Sequence, residues 1–181
     1  MAFQVLVVGA TSNVGCAIAQ ELGQGQYNKF FKVYGAVPNN ESPEKRDCLK
    51  EHGCIEVLLY ERTQIDLVRD YIGDRGIKAM VIAGTSEYDD SEELMAWIDA
   101  GRKSTVDFVL LLSAPGSDLG QTILAKRYQG LESYLSSNAR YYTILRTAPF
   151  TDILKFYADE IRKEKTLKLP LSKVFCYFSL I

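Results

Sequence analysis

An α/β architecture follows from three features of the sequence: a doubly wound parallel sheet with helices on both faces, in three layers. Short apolar runs alternate with stretches of helical periodicity along almost the whole chain. The first run, Gln4-Val5-Leu6-Val7-Val8, is a Val-rich strand of the kind buried on both faces. It passes through Gly9-Ala10-Thr11-Ser12-Asn13-Val14-Gly15 straight into Val14, Ala17, Ile18 and Leu22 at helical spacing.

That turn leaves the N-terminal N–H groups of a helix, and the positive end of its dipole, at the end of a strand. Such a place favours an anion, most often a dinucleotide pyrophosphate. Gly9 permits the tight turn and Gly15 lets the helix pack closely on the strand. Ser12 stands where a middle glycine would let backbone approach the phosphates. The same residues also suit a plain strand-to-helix turn in which Ser12 or Asn13 caps the helix and nothing is bound.

The remaining elements follow in order. Lys32 to Val37 reads as the second strand, ended by Pro38-Asn39-Asn40. Ser42-Pro43 opens a helix, with Ser as N-cap and Pro at its first position, and Gly53 stops it. Ile55 to Leu59 is a third strand. Thr63 and Asp66 form a capping pair for a helix through Ile72. Lys78 to Ala83 is a fourth strand, and Ser91-Glu92-Glu93 starts a helix ending near Gly101. Val106 to Leu112 is the strongest strand. Ile123, Leu124, Tyr128, Leu131 and Leu135 make a helical stripe, Tyr142 to Leu145 a sixth strand, and Ile153, Leu154, Tyr157 and Ile161 a last helix. Right-handed crossovers put the strand C-termini on one edge, where ligands of such sheets bind. Residues 1–165 therefore read as one domain. Residues 166–181 are an atypical apolar tail, with Leu167, Leu169 and Leu171 alternating before Val174-Phe175-Cys176-Tyr177-Phe178; it suits one or two extended segments or a sticky end.

Composition narrows the function classes. The 181 residues are 47% hydrophobic and 24% charged, enough for one domain with a sizeable core. A formal net charge of -2 and scattered basic residues argue against a nucleic-acid or membrane surface. No apolar stretch reaches membrane-spanning length, and the chain enters its first strand without a basic-then-apolar leader. Cys16, Cys48, Cys54 and Cys176 form no C-x-x-C pair, which points to a reducing, cytoplasmic setting. Cys16 suits either a stabilised thiolate in a first helical turn or, the stronger reading, a small buried hydrophobe. His52 is the only histidine. Histidine-built metal sites and a Ser-His-acid triad are thereby disfavoured, and His52 reads as a cation at a helix end or a solvated side chain.

Three segments resemble the NmrA-like branch of the atypical short-chain dehydrogenases. Val8 to Gly15 is close to that family's V-G-A-T-G-x-x-G. Trp97-Ile98-Asp99-Ala100-Gly101-Arg102 with Val106 to Ser113 resembles its fourth helix and fifth strand. Glu132-Ser133-Tyr134-Leu135 followed by Tyr142-Thr143-Ile144-Leu145-Arg146-Thr147-Ala148-Pro149-Phe150 is similar to E-x-x-L…Y-T-I-L-R-P-G-x-F, with the same spacing from Glu132 to Arg146. The resemblance spans roughly residues 3 to 150. It implies an NAD(P)-binding Rossmann fold.

Departures bear on activity. A Tyr-x-x-x-Lys pair would need Tyr at Leu124 and Lys at Tyr128, so the acid that protonates a carbonyl is missing. Neither acidic residue nor Arg stands at Val37-Pro38-Asn39-Asn40, where the adenine-side ribose is held. Lys45 and Arg46 in the next helix lean the choice to NADP over NAD, and Glu61 stands where the family often has Asp near the adenine. Members of the family are longer, with a substrate lobe after this region, so the chain reads as shortened or minimal.

The resemblance then implies Gly9, Thr11, Ser12, Asn13, Val14 and Gly15 at the pyrophosphate. Ala83, Gly84 and Thr85 fall under the adenine-side ribose, and Ser113, Pro149 and Phe150 at the nicotinamide end. The leading expectation is a dinucleotide-binding, redox-sensing or regulatory domain with weak or no reductase activity. A second is an active NAD(P)H-dependent reductase or isomerase using Ser113, Lys126 and Tyr128. A third is an interaction protein with a vestigial nucleotide site and a protein partner on the tail.

Overall fold

The computed structural model describes residues 2–84, 91–120, 123–147, 162–163, 166–169 and 176–179. Its main sheet holds β1 (Phe3–Val8), β2 (Phe31–Pro38), β3 (Cys54–Tyr60), β4 (Ala79–Ile82), β5 (Phe108–Ser113) and β6 (Tyr141–Arg146). The spatial order is β3-β2-β1-β4-β5-β6, and every neighbouring pair is parallel. This is the strand order of dinucleotide-binding sheets, with the switch in direction between β1 and β4. A second, antiparallel pair, β7 (Thr166–Leu169) and β8 (Cys176–Ser179), lies in the apolar tail.

The three layers follow from the period of the strands. Successive side chains point to opposite faces, and β1 shows it directly. Val5 and Val7 join one apolar cluster with Ala19, Val33, Val37 and Leu49. Leu6 and Val8 join another with Met80, Trp97, Ile98, Leu111, Leu131 and Leu135. The first cluster is covered by α1 (Asn13–Gly23) and α2 (Pro43–Glu51). The second is covered by α3 (Val68–Asp74), α4 (Ser91–Arg102) and α5 (Ile123–Asn138). Trp97 is fully buried, and the Tyr60 ring meets it edge-on at 4.9 Å.

Helix starts are mostly local. Ser42 has extended backbone, Pro43 occupies the first helical positions, and the Ser42 hydroxyl accepts from Lys45 N–H. Ser42→Ala is expected to cost about 1 kcal/mol, read as a lower urea midpoint. An unchanged midpoint would mean that Pro43 starts the helix unaided.

The helix expected from Thr63 differs. Arg62–Leu67 is a 3-10 segment interrupted at Gln64, whose φ is -129° and ψ 33°. The α-helix begins only at Val68, after Leu67, with no side-chain cap. Val68 and Ile72, buried four apart, set that helix by packing, and the Thr63 and Asp66 pattern does not. The expected last helix at Ile153 to Ile161 lies outside the described residues.

Candidate dinucleotide site at the sheet edge

The glycine turn sits at the C-terminal end of β1, beside β4. Gly9 has φ 73°, a left-handed conformation that admits the turn without strain. A Cβ on Gly15 would lie 2.2 Å from the Gly9 carbonyl oxygen, so only glycine allows this approach of helix to strand. Ser12 is different. Its φ is -68°, so the position requires no glycine. Its hydroxyl donates to the Gly9 carbonyl at 2.8 Å and accepts from Gly15 N–H at 3.0 Å. Ser12 is therefore the N-cap of α1. Asn13, Val14 and Gly15 form the first turn of α1, with the helix dipole behind them.

Across the switch point, Ala83 N–H donates to the Val8 carbonyl at 3.0 Å, which brings Ala83 and Gly84 beside the turn. Ala83 is buried and Gly84 half-buried. Thr85 lies outside the described residues, as do Pro149 and Phe150.

Sequence reasoning passed over Glu41. It follows the end of β2 by three residues, and Glu41 N–H bonds back to the Pro38 carbonyl at 3.0 Å. That turn carries the carboxylate over the glycine turn, where it accepts from the Thr11 hydroxyl at 2.8 Å. Lys45 Nζ lies 3.1 Å away and Ser42 N–H donates to it. Partial burial works against the ionised form; the Thr11 hydroxyl, Lys45 and Ser42 N–H together hold the carboxyl below its ordinary range. The missing signal was distance along the chain: no local pattern links Thr11 to Glu41. Arg46, on the same helix as Lys45, has a buried Nε without a hydrogen-bond partner. Glu61 accepts from the Asn39 side chain at 3.0 Å, tying together the ends of β2 and β3.

At the other end of the edge, Ser113 closes β5 and is buried. Its hydroxyl donates to Glu132 Oε1 at 2.5 Å, and the buried Ser117 hydroxyl donates to the same oxygen at 2.5 Å. Arg146, the last residue of β6, donates from Nε to Oε1 at 3.0 Å and from Nη2 to Oε2 at 2.7 Å. The bidentate guanidinium comes first in holding Glu132 at a pKa of about 2, against a burial penalty; the two serine hydroxyls add to it. The spacing from Glu132 to Arg146 thus encodes an ion pair, buried at Glu132 and open to solvent at Arg146, that ties α5 to the ends of β5 and β6. Lys126 is exposed on α5, and Tyr128 packs half-buried against the larger core.

Among the described residues no group of His, Cys, Asp and Glu has metal-binding geometry, and no helix is long and apolar enough to cross a membrane. No protein-family model and no curated protein sequence matches the chain. Solved structures do. The NADPH-dependent quinone oxidoreductase of Escherichia coli, complexed with NADPH, superposes with a TM-score of 0.72 at 18% identity over 89% of this chain and 54% of its own. The Citrobacter triphenylmethane reductase complexed with NADP(H) gives 0.70 at 20% identity over 90% and 55%. The Bordetella bronchiseptica enzyme WbmH, in complex with NAD+, gives 0.65 at 18% identity over 88% and 64%. The chain spans between about half and two thirds of the length of these proteins. At such identities the likeness establishes the fold: a parallel α/β sheet of the Rossmann type, shared with reductases that bind NAD(P).

Proposed function

We propose that this chain is an NAD(P)-binding domain of the NmrA-like kind, with a sensing or regulatory role and weak or no reductase activity. The observation that carries the reading is the glycine turn at the β1/β4 switch point, where Gly15 approaches the Gly9 carbonyl as no other residue can. The residues fit the group: Gly9, Thr11, Ser12, Asn13, Val14 and Gly15 would hold the pyrophosphate, chiefly through backbone N–H. Ala83, Gly84 and Thr85 would lie under the adenine-side ribose, and Ser113, Pro149 and Phe150 would border the nicotinamide. The bound cofactor would supply or accept a hydride. The protein's part is to bind and orient it.

Two features support weak chemistry. The Ser113 hydroxyl donates its hydrogen bond to Glu132, and the Tyr-x-x-x-Lys pair is absent. The lean to NADP rests on Lys45, paired with Glu41 next to Thr11, and on the buried, unpartnered Nε of Arg46 on the same helix. The neighbours bind NADP(H), NADPH or NAD+, so either nucleotide fits the fold. Calorimetric titration with NADPH, NADP, NADH and NAD tests the reading. Binding near micromolar, about -8 kcal/mol, is expected, with the phosphorylated forms ahead. No heat with any of the four, from a folded chain, would overturn it. Arg46→Ala is expected to weaken NADPH by about tenfold, near 1.4 kcal/mol, and NADH little. Equal losses for both would remove the case for a 2′-phosphate contact.

A further inference from the structure

Below the glycine turn, three cysteines and the single histidine come together from four places in the sequence. Cys16 is in the first turns of α1, Cys48 on α2, His52 at the C-cap of α2 and Cys54 at the start of β3. Cys48 and His52 are four apart on one helix, so they share a face. Packing of α1 beside α2 sets Cys16 opposite them. Cys16 Sγ lies 3.1 Å from His52 Nδ1, and Cys48 Sγ lies 3.8 Å from both ring nitrogens. His52 is thus neither a solvated side chain nor merely a helix-end cation; its ring lies against both thiols, which also meet each other directly. Cys16 and Cys48 are half-buried and Cys54 is buried. The cluster lacks metal-binding geometry, which leaves sulfur chemistry.

We propose that Cys16 and Cys48 are an oxidisable dithiol, with His52 as the base beside them, whose disulfide staples α1 to α2 next to the glycine turn. The oxidant class is a hydroperoxide. His52 Nδ1 takes the Cys16 thiol proton, and the sulfur attacks the outer peroxide oxygen. An S–O bond forms, the O–O bond breaks, and the alcohol or water leaves with a proton. Cys48 sulfur then attacks the Cys16 sulfenic acid. The S–S bond forms, the S–O bond breaks, and water leaves carrying the Cys48 proton. Two electrons pass from the pair of sulfurs to the peroxide. Burial and the neighbouring Cys48 push the Cys16 thiol up, so at neutral pH the reaction depends on a base at hand. Cys54, pushed up to about 12 by its burial and then by Cys16, stays a bystander thiol.

Cys16 N–H bonds to the Ser12 carbonyl at 2.8 Å, so the staple bears directly on the residue that caps the turn. The test uses the full chain, reduced, then treated with a slight excess of hydrogen peroxide, alkylated, digested and weighed by mass spectrometry. The expected product is a Cys16–Cys48 linked peptide pair lighter by two hydrogens. His52→Gln should form it several-fold more slowly, and Cys176→Ser at the wild-type rate. Cys48→Ser should leave a Cys16 sulfenic acid that dimedone traps. Cys16 and Cys48 remaining fully alkylatable while Cys176 oxidises would overturn the proposal. So would a Cys16–Cys54 link, or a disulfide whose rate His52→Gln leaves unchanged.

Discussion

Glu132→Ala is expected to lower stability by about 2 kcal/mol, the scale for losing charge-assisted hydrogen bonds and leaving buried hydroxyls without their acceptor. The side chain of Glu132 is 8% exposed and that of Arg146 is 40% exposed. Water and Asp118, 3.7 Å from Nη1, can therefore take up part of the guanidinium's need. The Ser113 and Ser117 hydroxyls, both buried, lose their shared acceptor and keep only each other at 3.3 Å. Glu132→Gln should cost less, since an amide oxygen still accepts from the serines. Urea unfolding of both variants measures this, and a Glu132→Ala midpoint equal to wild type would remove the network from the fold's support.

The same network predicts a pH dependence. The folded pKa of Glu132, about 2, lies below the ordinary 4.5. A lowered pKa contributes stability that is complete above the ordinary value and is lost as pH falls through the folded one. Wild type should therefore lose stability between about 4.5 and 2, and Glu132→Gln should lose less over that window. Parallel pH profiles for the two would sink the assignment.

Gly15→Val is expected to have the largest effect at the glycine turn. Its Cβ would meet the Gly9 carbonyl oxygen at 2.2 Å, and both sides of that contact are backbone, so neither can rotate away. The helix must shift off the strand, with a cost on the scale of core overpacking, about 1–3 kcal/mol. Nucleotide binding should fall at least about tenfold, or 1.4 kcal/mol, because the first turn of α1 moves with it. Ser12→Gly is the counterpart. It removes the hydroxyl cap on Gly15 N–H, which costs a few tenths of a kcal/mol when glycine replaces the cap. Binding should hold or tighten, since the turn backbone stays and a donor is released. Titration of the two variants separates a nucleotide turn from a plain capped turn. If Gly15→Val stays folded and binds as wild type does, the pyrophosphate is not held there.

Local patterns carried much of this far. Val5 to Val8 read as a strand buried on both faces because the run is apolar at every position, and both clusters bear that out. Ser42-Pro43 and Gly53 marked a helix at both ends because caps act within three or four residues. Thr63 and Asp66 misled because a capping pattern is weak beside the burial of Val68 and Ile72, which decided where the helix starts.

The sequence by itself determined the order of strands and helices, the Gly9–Gly15 turn and the lack of a Tyr-x-x-x-Lys pair. Each of these is written in spacings of a few residues. Only the tertiary structure decided that Glu41 reaches Thr11, that Ser113 and Arg146 both donate to Glu132, and that Cys16 meets His52. Those partners lie 14 to 36 residues apart. Their meeting depends on where right-handed crossovers return the chain to the sheet, and that is settled by the packing of whole faces.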